Sequence, residues 1–205
     1  MASESNPDPL EIVAAVLLGL AVVAIGWSTY QSALWGGVQD ESYTESVRQA
    51  NDAVDLLQAG DTIRSLDQGL FVAVVASQVC DGGELSDESA CQRLLVGMSD
   101  PGAAATDEWV RKRDTNPFQS PSYLEAIRGE GEEARLASDR SFVAAGQANE
   151  NGDNYELAAT ILTAVLFFAG ISVVLSDRRI RWALLAAASL LLVGATAYVV
   201  TLPVA

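Results

Sequence analysis

Three long apolar runs punctuate the chain, with polar sequence of very unequal length between them. The first, IVAAVLLGLAVVAIGW, begins at Ile12, and no charged residue follows it before Asp40. The second, LAATILTAVLFFAGISVVL, runs from Leu157 to Leu175, and the third, WALLAAASLLLVGATAYVVTLP, from Trp182 to Pro203. A bilayer core about 30 Å thick takes about 20 apolar residues in helix, so each run predicts a transmembrane helix. Aromatic residues near the run ends (Trp27, Tyr30 and Trp35, then Tyr155, then Trp182 and Tyr198) fit the belts that mark membrane interfaces. The N-terminal stretch MASESNPDPLE has no Lys or Arg, and no A-x-A site follows the first run. An uncleaved anchor is therefore expected, not a signal peptide.

Between the first two runs the period changes. Val47, Val54, Leu57, Ile63, Leu66, Leu70 and Val74 recur at three, four and seven, which predicts an amphipathic helix over Glu41–Val79. Gly36-Gly37 is the expected bend between span one and this extension. Short helices are expected over Asp87–Met98, stopped by Asp100-Pro101-Gly102, and over Thr106–Arg113, with DTNPFQSPS as loop. Ser120 before Pro121 makes an N-cap and first turn for a helix that continues into span two. That helix is rich in small residues (Ala126, Ala134, Ala137, Ala144, Ala145, Ala148), which permits close helix approach.

The fold class expected is thus all-α: three transmembrane helices and an extracytoplasmic helical-bundle domain formed partly by extensions of spans one and two. The divisions are residues 1–11 cytoplasmic tail, 12–35 span one, 36–154 external domain, 155–175 span two, 176–181 cytoplasmic loop and 182–203 span three. Orientation rests on SDRRIR, where Arg178, Arg179 and Arg181 crowd a short loop. Short basic loops stay cytoplasmic, whereas long segments translocate largely regardless of charge. Cys80 and Cys91, the two cysteines of the chain, both fall in the external segment, where an oxidising compartment would pair them as a disulfide.

Composition narrows the chemistry. A formal charge of −15 excludes nucleic acid as a partner, because phosphate is bound by Lys and Arg. Histidine is absent, which removes the commonest general base and metal ligand together. The runs Glu84-Asp87-Glu88 and Glu130-Glu132-Glu133 read as solvated acidic faces. DGGELSDE and NENGDNYE do not fit the spacing of a twelve-residue calcium loop. No cofactor, metal ligand set or catalytic group is assigned. None of the three apolar runs (from Ile12, Leu157–Leu175, Trp182–Pro203) contains an Asp, Glu, Lys or Arg, which argues against transport coupled to protons or ions.

The densest constellation pairs the end of span one with the entry to span two. It assembles Trp27, Tyr30, Gln31, Trp35 and Gln39 with Asn149, Asn151, Asp153, Asn154 and Tyr155. Asn and Asp are poor helix-interior residues, so their density there calls for a reason. One reading is interfacial anchoring with hydrogen bonds across the helix pair; the other is a site for a small polar ligand, a lipid headgroup or a partner protein.

The motif W-S-x-Y-Q-x-x-x-W-G-G-x-Q (Trp27, Ser28, Tyr30, Gln31, Trp35, Gly36, Gly37, Gln39) resembles one in a family of prokaryotic membrane proteins of unknown function. So do A-N-x-N-x-D-N-Y (Ala148, Asn149, Asn151, Asp153, Asn154, Tyr155), the short Arg-rich hairpin and the final T-L-P. The resemblance covers the membrane-proximal ends. It implies the three-span plan, a prokaryotic origin and hence the plasma (inner) membrane, and it carries no activity. The function expected is a non-enzymatic membrane protein whose external domain binds a partner or ligand or supports an envelope assembly. The alternative is a subunit of an oligomeric channel or transporter. The partners expected are the lipid bilayer and either a second protein or further copies of the chain.

Overall fold

The three apolar runs lie on three long helices, each long and apolar enough to cross a membrane, as expected of a multi-pass membrane protein. The computed structural model describes residues 8–80, 87–112 and 116–205. Its elements are α1 (Pro9–Ser77), α2 (Glu88–Val96), α3 (Asp100–Lys112), a single 3₁₀ turn (Pro117–Gln119), α4 (Pro121–Val174) and α5 (Arg178–Thr201). The described residues contain no strand, so the all-α expectation holds. The chain divides into two compact units: Met1–Tyr43 with Phe142–Ala205, and Thr44–Ser141.

In the first unit, α1, α4 and α5 bury residues at alternating spacings of three and four. The seam comprises Leu10, Ala14, Leu17 and Ala21 of α1, Leu162, Val165 and Ala169 of α4, and Leu185, Ala188, Leu192 and Ala195 of α5. Alternating steps of three and four are the spacing of a helical-bundle seam. Its alanines let backbones approach, which is what holds helices together in lipid, where burial of apolar surface gives no net drive. At one end, Asp8 and Asp177 accept backbone N–H bonds from Leu10 and Arg179 at the starts of α1 and α5.

In the second unit the seam between α1 and α4 is built from smaller residues still. α1 buries Ser46, Ala53, Gly60, Asp67 and Val74, each seven residues from the last. α4 answers with Gly131 and Ser138. The Ser138 hydroxyl donates to the Ser46 carbonyl at 2.9 Å. A Cβ at Gly60 would run into the Ile127 carbonyl, and one at Gly131 would lie 2.8 Å from Leu57 Cγ. The packing face is therefore one position away from the face expected. Of the predicted apolar positions only Val74 is buried; Val47, Val54, Ile63 and Leu66 are exposed. Ala126 and Ala144 of α4 are exposed as well. The reason is steric: helices this close admit only small side chains between them, so the larger ones stand outside.

Two local expectations change. Asp100-Pro101-Gly102 separates two helices as expected, but it forms the first turn of α3, with proline in a position where its missing N–H costs nothing. α1 passes through Gly36-Gly37 as unbroken helix. Ser120 caps α4 as expected, its hydroxyl accepting the Tyr123 N–H at 3.3 Å. Cys80 and Cys91 are disulfide-bonded, with Cα atoms 5.2 Å apart. The bond ties α2, which has no buried residue, to the end of α1.

Candidate functional site

Within the first unit, part of the predicted constellation converges on the residues after Thr201, which the sequence pattern counted in part as the end of span three. Gln31 of α1 is 1% exposed and Tyr155 of α4 is fully buried, with Trp35 one turn on from Gln31. All three reach the backbone that follows α5. Trp35 Nε1 donates to the Pro203 carbonyl at 3.1 Å, and the Tyr155 hydroxyl donates to the same oxygen at 3.3 Å. The Ala205 N–H donates to Gln31 Oε1 at 3.1 Å. Asn154 joins separately, accepting the Tyr198 hydroxyl of α5 at 2.8 Å. One turn from Gln31 on the same seam, Ser28 is buried, and its hydroxyl has no hydrogen-bond partner among the described residues.

The other predicted members stand apart. Trp27 and Tyr30 are 47% and 57% exposed and pack on each other with ring centres 6.3 Å apart. Asn149 donates to Asp153 at 2.9 Å along the exposed side of α4. Gln39 and Asn151 are half-buried and lie outside the bonds to the segment after α5. Pro203 carries no side-chain chemistry that a sequence pattern could single out. The available signals were its place as the last residue of the third apolar run, in the final T-L-P, and Tyr198 earlier on the same helix.

At the other end of this unit, Arg181 Nη1 pairs with Asp8 Oδ2 at 2.8 Å. The bond from the Leu10 N–H, followed by the charge and hydrogen bond of Arg181, holds the Asp8 carboxyl below its ordinary range. Arg178 and Arg179 are exposed. Of the three arginines in the hairpin, one is thus tied inward and two face out.

The second unit contains a buried carboxylate that the sequence reading missed. Asp67, 1% exposed, accepts the Ser99 N–H at 2.8 Å, the Ser99 hydroxyl at 2.6 Å and the Tyr123 hydroxyl at 2.9 Å. Ser99 in turn accepts the Gly102 N–H at 3.0 Å and caps α3. A Cβ at Gly102 would collide with the Asp67 carboxylate, so only glycine fits there. Burial first, then the bond to Asp67 and its charge, push the Tyr123 phenol well above its ordinary value. An edge-to-face chain of rings, Trp109 to Phe71 to Phe118 to Tyr123, with centres 4.9–5.4 Å apart, surrounds the network. With three donors on its two oxygens, Asp67 ties α1, the start of α3 and α4 together. Nothing in the sequence pattern set it apart from the other acidic residues of α1.

Among the described residues, no group of three or more Cys, Asp or Glu side chains is placed to hold a cation. The segment DGGELSDE falls largely on residues 81–86, outside the described residues. Comparisons with protein-family models, curated proteins and solved structures found no match to this chain.

Proposed function

We propose that this is a non-enzymatic, multi-pass membrane protein whose acidic helical unit lies outside the cytoplasm and binds a partner protein. The observation that carries the reading is the exposed apolar surface of that unit. Val54 and Leu66 are 61% and 64% exposed, and Val47 and Val72 match them along α1. Val54, Leu57 and Leu66 line an open groove of about 650 Å³, with Arg128 of α4 on its other wall. Apolar side chains left outside the seam, on a helix already packed along another face, mark a surface kept for a second contact. The two charged residues that line the groove are matched to each other, Arg128 lying 3.9 Å from Asp61. Its specificity therefore comes from shape and apolar contact more than from net charge.

Orientation is supported by the exposed Arg178 and Arg179 and by the disulfide, which belongs in an oxidising compartment. The resemblance in the membrane-proximal motifs supports a prokaryotic plasma membrane. Chemical cross-linking in the native membrane tests the partner. The wild-type chain gives a defined cross-linked species that Val54→Glu with Leu66→Glu removes while helix content is unchanged. A species that survives the double substitution, or a wild-type chain that cross-links to nothing, overturns the reading.

A further inference from the structure

Every bond that holds the segment after α5 goes to its main chain. Leu202 is extended, at φ −79° and ψ 145°, in the polyproline range. Pro203 offers its carbonyl to Trp35 and Tyr155, and Ala205 offers its N–H to Gln31. Of the segment's side chains only Leu202 is half-buried; Pro203, Val204 and Ala205 are all exposed. The clamp reads a carbonyl and, two residues on, an N–H, on an extended backbone. It does not read this particular sequence.

Two energetic facts follow. Gln31 and Tyr155 are buried, so an empty clamp leaves polar groups unsatisfied, and some extended backbone is required there. The segment itself is held by three hydrogen bonds worth about 1 kcal/mol each and by the partial burial of Leu202, so it opens more easily than the helices melt. Its departure does not release α5, whose last turn is tied to α4 by the Tyr198–Asn154 bond.

We propose that Gln31, Trp35 and Tyr155 form a docking site for an extended peptide segment of a partner chain, which residues 202–205 occupy in cis. Main-chain recognition of a polyproline-like segment is an established mode of peptide binding, and a proline at the clamped carbonyl pre-sets the conformation. This site is in the first unit and stands independently of the groove in the second.

The test uses the full chain in lipid nanodiscs and a synthetic peptide copying residues 200–205 with a photoreactive group at its N-terminus. At a peptide concentration on the order of 1 mM, labelling is expected on α1 around Trp35, with amide exchange at Ala205 about tenfold faster as the peptide displaces the segment. N-methylation of the peptide's last residue, which removes the N–H read by Gln31, abolishes most of the labelling. Pro203→Gly, which loosens the segment and leaves the clamp intact, raises it. The proposal fails if the Ala205 amide exchanges as slowly as the helix interiors. It fails equally if the Pro203→Gly chain, with fast exchange at that amide, still takes no label.

Discussion

Asp67 and Tyr123 show what one buried carboxylate does for the second unit. Removing the acceptor leaves the Ser99 and Tyr123 donors unpaired in the core, so Asp67→Ala should destabilise this unit by about 2–4 kcal/mol in a chemical denaturation monitored by circular dichroism. Tyr123→Phe, which deletes one donor and leaves Asp67 the two from Ser99, should cost about 1–2 kcal/mol. The raised phenol also sets a pH dependence. Folding favours the protonated phenol, so its contribution is complete below the unfolded value near 10 and is drained as pH rises from there towards the higher folded value. Stability should fall above pH ~10 in the wild-type chain, and Tyr123→Phe should flatten that fall; an equal slope in both chains rules out the assignment. Asp67 was illegible in the sequence for a physical reason. Among the 27 acidic side chains, nothing in the one-dimensional pattern separates the one turned into the core from those in water. Trp35 and Tyr155 were legible because aromatics beside an apolar run are conspicuous, whereas their shared acceptor, a backbone carbonyl, has no sequence signature.

At the scale of helices, their existence and class follow from period and length, but the packing face does not follow from hydrophobicity alone. The reading that chose Val47, Val54 and Leu66 for the seam weighted size, and the structure gives the seam to Ser46, Ala53 and Gly60. Close approach selects against bulk, so the more apolar face is the one left open. Gly60 is the sharpest test. In an exposed helix, replacing glycine with alanine gains up to about 1 kcal/mol. At Gly60 the new Cβ meets the Ile127 carbonyl, a backbone atom that cannot rotate away, so Gly60→Ala should instead lower stability by about 1–3 kcal/mol. Gly37→Ala, with nothing within 4 Å of the added carbon, should be neutral or stabilising in the same thermal melt. If both substitutions stabilise, α1 and α4 do not approach as described. α2 depends on covalent chemistry in place of packing. It buries no residue and is held by the Cys80–Cys91 bond and by the Asp87 cap, whose carboxyl accepts the Ser89 and Ala90 N–H groups at 2.9 and 3.2 Å. Reduction should therefore speed amide exchange in α2 and leave the interiors of α1 and α4 unchanged; uniform acceleration would mean that the disulfide supports the whole unit.

At the scale of the whole molecule, the sequence and the fold constrain different things. Three apolar helices follow from either, yet neither fixes which side of a bilayer the acidic unit occupies, because side is chosen during insertion and not by the contacts of the folded chain. The asymmetry that decides it is charge. Arg178 and Arg179 are exposed in a hairpin of a few residues, whereas Thr44–Ser141 carries 18 acidic and nine basic side chains. Short basic connections are retained in the cytoplasm, and a long segment crosses whatever its charge, so the hairpin should be inside and the acidic unit outside. Both natural cysteines are joined to each other, so an introduced thiol reports without background. Glu130→Cys and Arg179→Cys each place one at an exposed position, the first on α4 in the acidic unit and the second in the hairpin. A membrane-impermeant maleimide added to intact cells should label Glu130→Cys at once and Arg179→Cys only after permeabilisation. The opposite pattern would put the acidic unit in the cytoplasm, where a disulfide is not maintained. It would move the search for a partner of the Val54–Leu66 groove to that side of the membrane.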